Sequence, residues 1–122
     1  MIRFATACAV AAAIAGPPAG AQTLAPAESM TAYHMANRCF AVIDAMSRTQ
    51  LPSDARQRLD QMLFWGVAAK AFGDEAKLSK DVQRKDLEAA ASQADADVAG
   101  NDPDAERDLQ ECDAAFRVAM RD

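Results

Sequence analysis

Two cysteines, Cys39 and Cys112, lie 73 positions apart, so a bond between them would close a loop through most of the chain. No other feature restricts the available folds as strongly, because a link of that span requires two distant segments to pass side by side. Whether the bond forms depends on the compartment, and the first residues bear on that. Met1, Ile2 and Arg3 make a short basic start, and Phe4 to Ala15 is apolar apart from Thr6. Gly16, Pro17 and Pro18 break any helix, and Ala19-Gly20-Ala21 follows with small residues at both ends. A basic n-region, an apolar h-region and an A-x-A site form a secretory signal. The apolar run is shorter than the roughly 20 residues that a membrane-spanning helix needs. A lipid anchor at Cys8 is the poorer reading, since the apolar run would then follow the cysteine rather than precede it. Residues 1–21 are therefore expected to be removed after Ala21. Residues 22–122 would remain as a single helical domain, periplasmic or secreted, with no segment left to enter a membrane.

Export leaves Cys39 and Cys112 as the only cysteines, and an even count in an oxidising compartment points to a disulfide. A nucleophilic cysteine would need a histidine beside it. The one histidine, His34, lies five positions before Cys39 and nearly across the helix from it. Zinc needs about four ligands, which two cysteines and one histidine do not supply. The pair reads as a structural bridge.

The rest of the chain reads as four helices. From Met30 to Arg48, apolar residues recur at Tyr33, Ala36, Phe40, Ile43 and Met46, steps of three and four that mark one face. Gln50-Leu51-Pro52 ends that helix, and Ser53 is an N-cap for a second over Asp54 to Phe72, with Gly73 as its stop. A third, weaker series runs through Leu78, Val82 and Ala89 into alanines up to Ala99, closed by Gly100. Asp102-Pro103 then offers a cap followed by proline, opening a fourth helix with Leu109, Cys112 and Phe116 on one face. The predicted fold is all-α, a small antiparallel four-helix bundle with first and fourth helices adjacent and joined by the bridge.

In "QMLFWGVAAKAFG", residues 61–73, the second helix has more apolar surface than a small bundle uses. Leu59, Met62, Leu63 and Gly66 share a face assigned to the core, with Lys70 carrying its charge out from that side. Trp65 and Phe72 share a second face and Phe64 a third, and these three aromatics are the candidate interface residues. The alternative is that Trp65 and Phe72 pack against the alanine-rich third helix.

Net charge is −5, and −6 once Arg3 is removed, but its distribution is uneven. Residues 22–85 carry a balance of +2 and residues 86–122 a balance of −8. The acidic half argues against nucleic acid as a partner, which calls for a basic stripe. Either it is a solvated face or it docks a cationic partner. Residues 95–106, "DADVAGNDPDAE", resemble an EF-hand loop, with calcium candidates Asp95, Asp97, Asn101 and Glu106 and the glycine at Gly100. Ala99 and Asp102 depart from that pattern, and the competing reading is an interhelix turn. Met30 and His34 alone are too few for copper. No phosphate loop, nucleophile elbow, H-E-x-x-H or haem motif occurs, and no cofactor is implied. The expected function is an exported, non-enzymatic helical protein that binds protein, itself or another, in an accessory, chaperone-like or inhibitory role. A calcium module is the alternative. In size, compartment and single bridge the chain is similar to acid-stress chaperones of the bacterial periplasm, with no motif in common.

Overall fold

A computed structural model describes residues 26–49 and 55–121. The signal segment 1–21, the expected stop at Gln50-Leu51-Pro52 and the cap at Ser53 lie outside the described residues. Four helices are present: α1 (Pro26–Thr49), α2 (Ala55–Glu75), α3 (Lys80–Ala99) and α4 (Pro103–Arg121). The described residues contain no strand. The pairs Gln61–Asp113 and Phe64–Phe116 advance together, so α2 and α4 run in the same direction, as alternate helices of an up-and-down bundle must.

α1 begins at Pro26, four residues before the predicted start, and has Glu28 in its first turn and Arg48 in its last, matching the helix dipole at both ends. It is the hub of the fold. It packs along α2, less extensively along α3, and touches α4, whereas α2 and α3 hardly meet. Two sides of α1 are therefore buried. Ala36, Cys39 and Ile43 pack with Trp65 and Ala69 of α2 and Cys112 of α4. Ala41, Val42, Ala45 and Met46 pack with Ala94 of α3 and Ala105 of α4. The single predicted face captured Tyr33, Ala36, Ile43 and Met46, with Cys39 beside it and Phe40 only half-buried, and missed Ala41, Val42 and Ala45, because three helices surround α1 instead of the two neighbours a square bundle provides. Tyr33, Val42 and Ile43 are essentially inaccessible to solvent, and burying such side chains stabilises the fold by about 1.5–3 kcal/mol each.

Cys39 and Cys112 form a disulfide with Cα atoms 5.6 Å apart, as the sequence led us to expect.

α2 does not stop at Gly73 but continues to Glu75. Lys77 takes the left-handed position (φ 61°), and Leu78 and Lys77 donate back to the Gly73 and Asp74 carbonyls, forming a Schellman cap. Gly73 is glycine for a different reason: a Cβ there would lie 2.7 Å from Gln83 Cδ and 3.0 Å from Tyr33 Cε1. α3 starts at Ser79, whose hydroxyl accepts from the Val82 N–H at 3.1 Å. It ends in a second Schellman cap, with Asn101 at φ 53° and Asp102 and Asn101 donating to the Asp97 and Val98 carbonyls. Asp102 then caps α4, accepting from the Asp104 N–H at 2.9 Å. Of α3 only Ala94 is fully buried, so this helix cannot be held by apolar burial alone.

Candidate interaction surface

Polar bonds hold α3 in place, and some of them join the basic and acidic halves of the sequence. Tyr33 Oη donates to Asp86 Oδ2 at 2.8 Å. The Arg38 guanidinium binds Asp97 of α3 and Asp108 of α4, each at 2.9 Å, so one side chain ties three helices together. Arg48 reaches Asp95 at 2.6 Å and Asp44 at 3.0 Å. Two bases of α1 thus bind three acids of α3 and α4, Asp95, Asp97 and Asp108, across the basic and acidic halves of the sequence. Burial pushes the Tyr33 hydroxyl up, and its bond to Asp86 pushes the same way. For Asp108, burial alone would raise the carboxyl, but hydrogen bonds from Arg107 and Arg38 outweigh it and hold it below the usual carboxylate range.

A lowered folded-state carboxyl contributes stability that is present above the ordinary carboxylate pKa and is lost as pH falls through the folded value. Replacing Arg38 with methionine is accordingly expected to cost about 2–3 kcal/mol at pH 7, since two half-buried carboxylates lose their shared partner. The cost should shrink in acid as Asp108 protonates in both states. Urea melts of both proteins at neutral and acidic pH measure this, and an equal loss at both would refute it.

The same ion pairs engage two of the four calcium candidates. Asp95 and Asp97 lie within α3 and are bound to Arg48 and Arg38. Residues 95–106 are helix, tight turn and helix, with Asn101 rather than Gly100 at positive φ. Asn101 and Glu106 line a recess of about 590 Å³ together with Asp97 and Asp102. Among the described residues no group of three or more His, Cys, Asp or Glu side chains is placed to hold a metal. His34 is exposed.

The apolar faces of α2 are the reverse of those expected. Trp65 is only 3% exposed and belongs to the core. Phe64 stacks edge-on against it at 4.8 Å and against Phe116 at 5.2 Å, and Phe72 packs against the same cluster. Of the three interface candidates, Trp65 is thus a core residue, and Phe64 and Phe72 are half-buried against the core. The cluster they join is built from α1, α2 and α4. Two of the positions assigned to the core, Leu59 and Leu63, are instead 55% and 60% exposed, and Val67 is 69% exposed. Met62 and Gly66 are half-buried, Gly66 lying against the Phe40 ring. Lys70 is exposed and binds Asp74 at 2.7 Å, with no stem to thread out of the core. The reason is spatial. Small residues of α1, Ala36 and Cys39, and the bridge to α4 leave a space that suits large rings better than leucines.

Periodicity also missed Gln61, which is 5% exposed and donates to Asp113 at 2.8 Å on α4. Arg38 was missed too, although it adjoins Cys39 and Asp108 lies one turn before Cys112. Once the cysteines are paired, that adjacency places the two charges together.

Two surface features remain. A groove of about 480 Å³ lies between α2 and α3, floored by Tyr33, Asn37 and Phe40 of α1 and walled by Ala69, Gln83 and Leu87. The other is the row Leu59, Leu63 and Val67 along α2, each one turn from the next. Isolated exposed apolar side chains are ordinary, whereas an aligned row on a rigid helix is the pattern of a contact surface. Among the described residues no helix is long and apolar enough to cross a membrane. No family model matches the chain, and no curated protein or solved structure matches it.

Proposed function

We propose that this is an exported, non-enzymatic helical protein that works by binding protein, and that the outward face of α2 is its binding surface. The observation that carries this reading is the row Leu59, Leu63 and Val67, more than half exposed at each position on a helix whose opposite side is anchored by Trp65 and Ala69. The core does not need these side chains, and their exposure in water is costly unless a partner covers them. The Cys39–Cys112 bridge supports an oxidising compartment, and with it the secretory reading of residues 1–21.

Photo-crosslinking in the producing cells tests this. A photoreactive side chain in place of Leu63 should yield a discrete protein adduct, and the same group in place of the exposed Ala89 of α3 should not. Leu63→Asp should leave the melting midpoint nearly unchanged, within about 0.5 kcal/mol in stability, as for a surface site. Absence of any adduct at Leu63 overturns the proposed surface.

A further inference from the structure

We infer that the outward face of α2 pairs with the same face of a second copy of this chain, the two helices running antiparallel about a two-fold axis at the level of residue 65. This rests on the reading of α2 as the binding surface and names the partner. Arg56, Asp60, Leu63, Val67, Lys70 and Asp74 are all exposed on α2. They follow one another at alternating steps of four and three, the spacing of a coiled-coil seam. In that seam the apolar pair sits at the centre with a base and an acid on either side, and counted outward from the centre their order is inverted: Asp60 then Arg56 on one side, Lys70 then Asp74 on the other.

The inverted order makes the seam complementary to itself in one arrangement. Centred on residue 65, Leu63 faces Val67 of the second copy, Asp60 faces Lys70, and Arg56 faces Asp74, and the two-fold axis repeats each pair. The in-register parallel pair and the antiparallel pair slid by one turn fail on charge. A parallel, in-register pair sets every charge against its own copy. Sliding the antiparallel pair by one turn sets Arg56 against Lys70 in one direction and Asp60 against Asp74 in the other. Like charges placed directly opposite are disfavoured, so the seam selects against these registers as well as for one.

The monomer's own ion pairs fit this use. Lys70 and Asp74 bind each other, while Arg56 and Asp60 have no ion-pair partner among the described residues. In the pair, the Lys70–Asp74 couple of one copy lies between Asp60 and Arg56 of the other, giving an alternating four-charge network at each end. Leu59 and Ala71, both exposed, flank the seam and widen its apolar centre. Nineteen residues from Arg56 to Asp74 give a contact about 28 Å long. That is a single helix pair at the small end of specific interfaces, so the association is weak, micromolar or above in Kd, and reversible.

Sedimentation equilibrium of the mature, oxidised protein over a wide concentration range tests the pairing. Wild type should interconvert between monomer and dimer, with dissociation favoured by added salt. Asp60→Lys alone places lysines opposite each other, and Lys70→Asp alone places aspartates opposite each other. Each should weaken self-association by roughly tenfold or more, with unchanged melting because both sites are exposed. An equimolar mixture of the two variants restores both opposite-charge pairs and should associate at least as tightly as wild type. Wild type that stays monomeric at millimolar concentration overturns the inference, as do variants that self-associate undiminished or a mixture that shows no gain. An adduct from Leu63 with a protein other than this chain, from a wild type that stays monomeric, leaves the binding surface standing and removes only the second copy as its partner.

Discussion

Reducing the Cys39–Cys112 bridge should destabilise the protein by about 2–4 kcal/mol, approaching the roughly 4 kcal/mol that loop-closure entropy assigns to a link of this span. In a domain of this size such a loss lowers the melting temperature by on the order of 10 °C or more. The structure also says where the loss falls. α4 makes slight contact with each of the other helices, and the bridge, Arg38–Asp108 and the Phe64–Phe116 ring pair are its main ties. Reduction should therefore loosen α4 first, with its amides losing protection from hydrogen exchange while α1 and α2, which share the most extensive contact, keep theirs. Thermal melts with and without reductant, read beside exchange mass spectrometry, provide the check. Unchanged melting on full reduction would show that the side-chain contacts alone seat α4.

Trp65→Ala should be the most damaging single substitution in α2, costing about 3–5 kcal/mol. The indole is almost wholly buried in the cluster that joins α1, α2 and the disulfide, and no other large side chain can fill its place. Adding Phe72→Ala should leave the domain largely unfolded, because the combined loss approaches a typical domain's total stability of about 5–15 kcal/mol. Trp65→Phe should be far milder, since the buried indole N–H has no hydrogen-bond partner among the described residues and its removal relieves that burden. Denaturant melts of the three variants beside Leu63→Asp measure the contrast. A stable Trp65→Ala protein with a destabilised Leu63→Asp protein would reverse the assignment of faces.

The α2 contrast shows what periodicity resolves and what it leaves open. A helix with one apolar stripe declares its inner face, and α1 did so at Tyr33, Ala36, Ile43 and Met46. α2 has apolar residues on most of its circumference, so leucines and aromatics compete for the core on nearly equal terms. The choice belongs to the neighbours. Ala36 and Cys39 on one side and Cys112 and Phe116 on the other leave a space that rings fill, and none of those residues is near α2 in sequence.

What the sequence determined by itself was local or covalent: four helices, the proline and aspartate that open α4, and the bridge between Cys39 and Cys112. Helix periodicity and capping chemistry act over a few bonds, and a disulfide needs only its two thiols, so they can be read residue by residue. The tertiary structure alone decided that α1 is surrounded on two sides, that Gly73 admits Gln83 rather than ending a helix, and that Asp95, Asp97 and Asp108 pair with α1 arginines and Asp113 with Gln61. It alone decided, too, which face of α2 looks outward. Each of these depends on which surfaces meet across dozens of residues, where burial and charge pairing are properties of two elements together and cannot be assigned to either one alone.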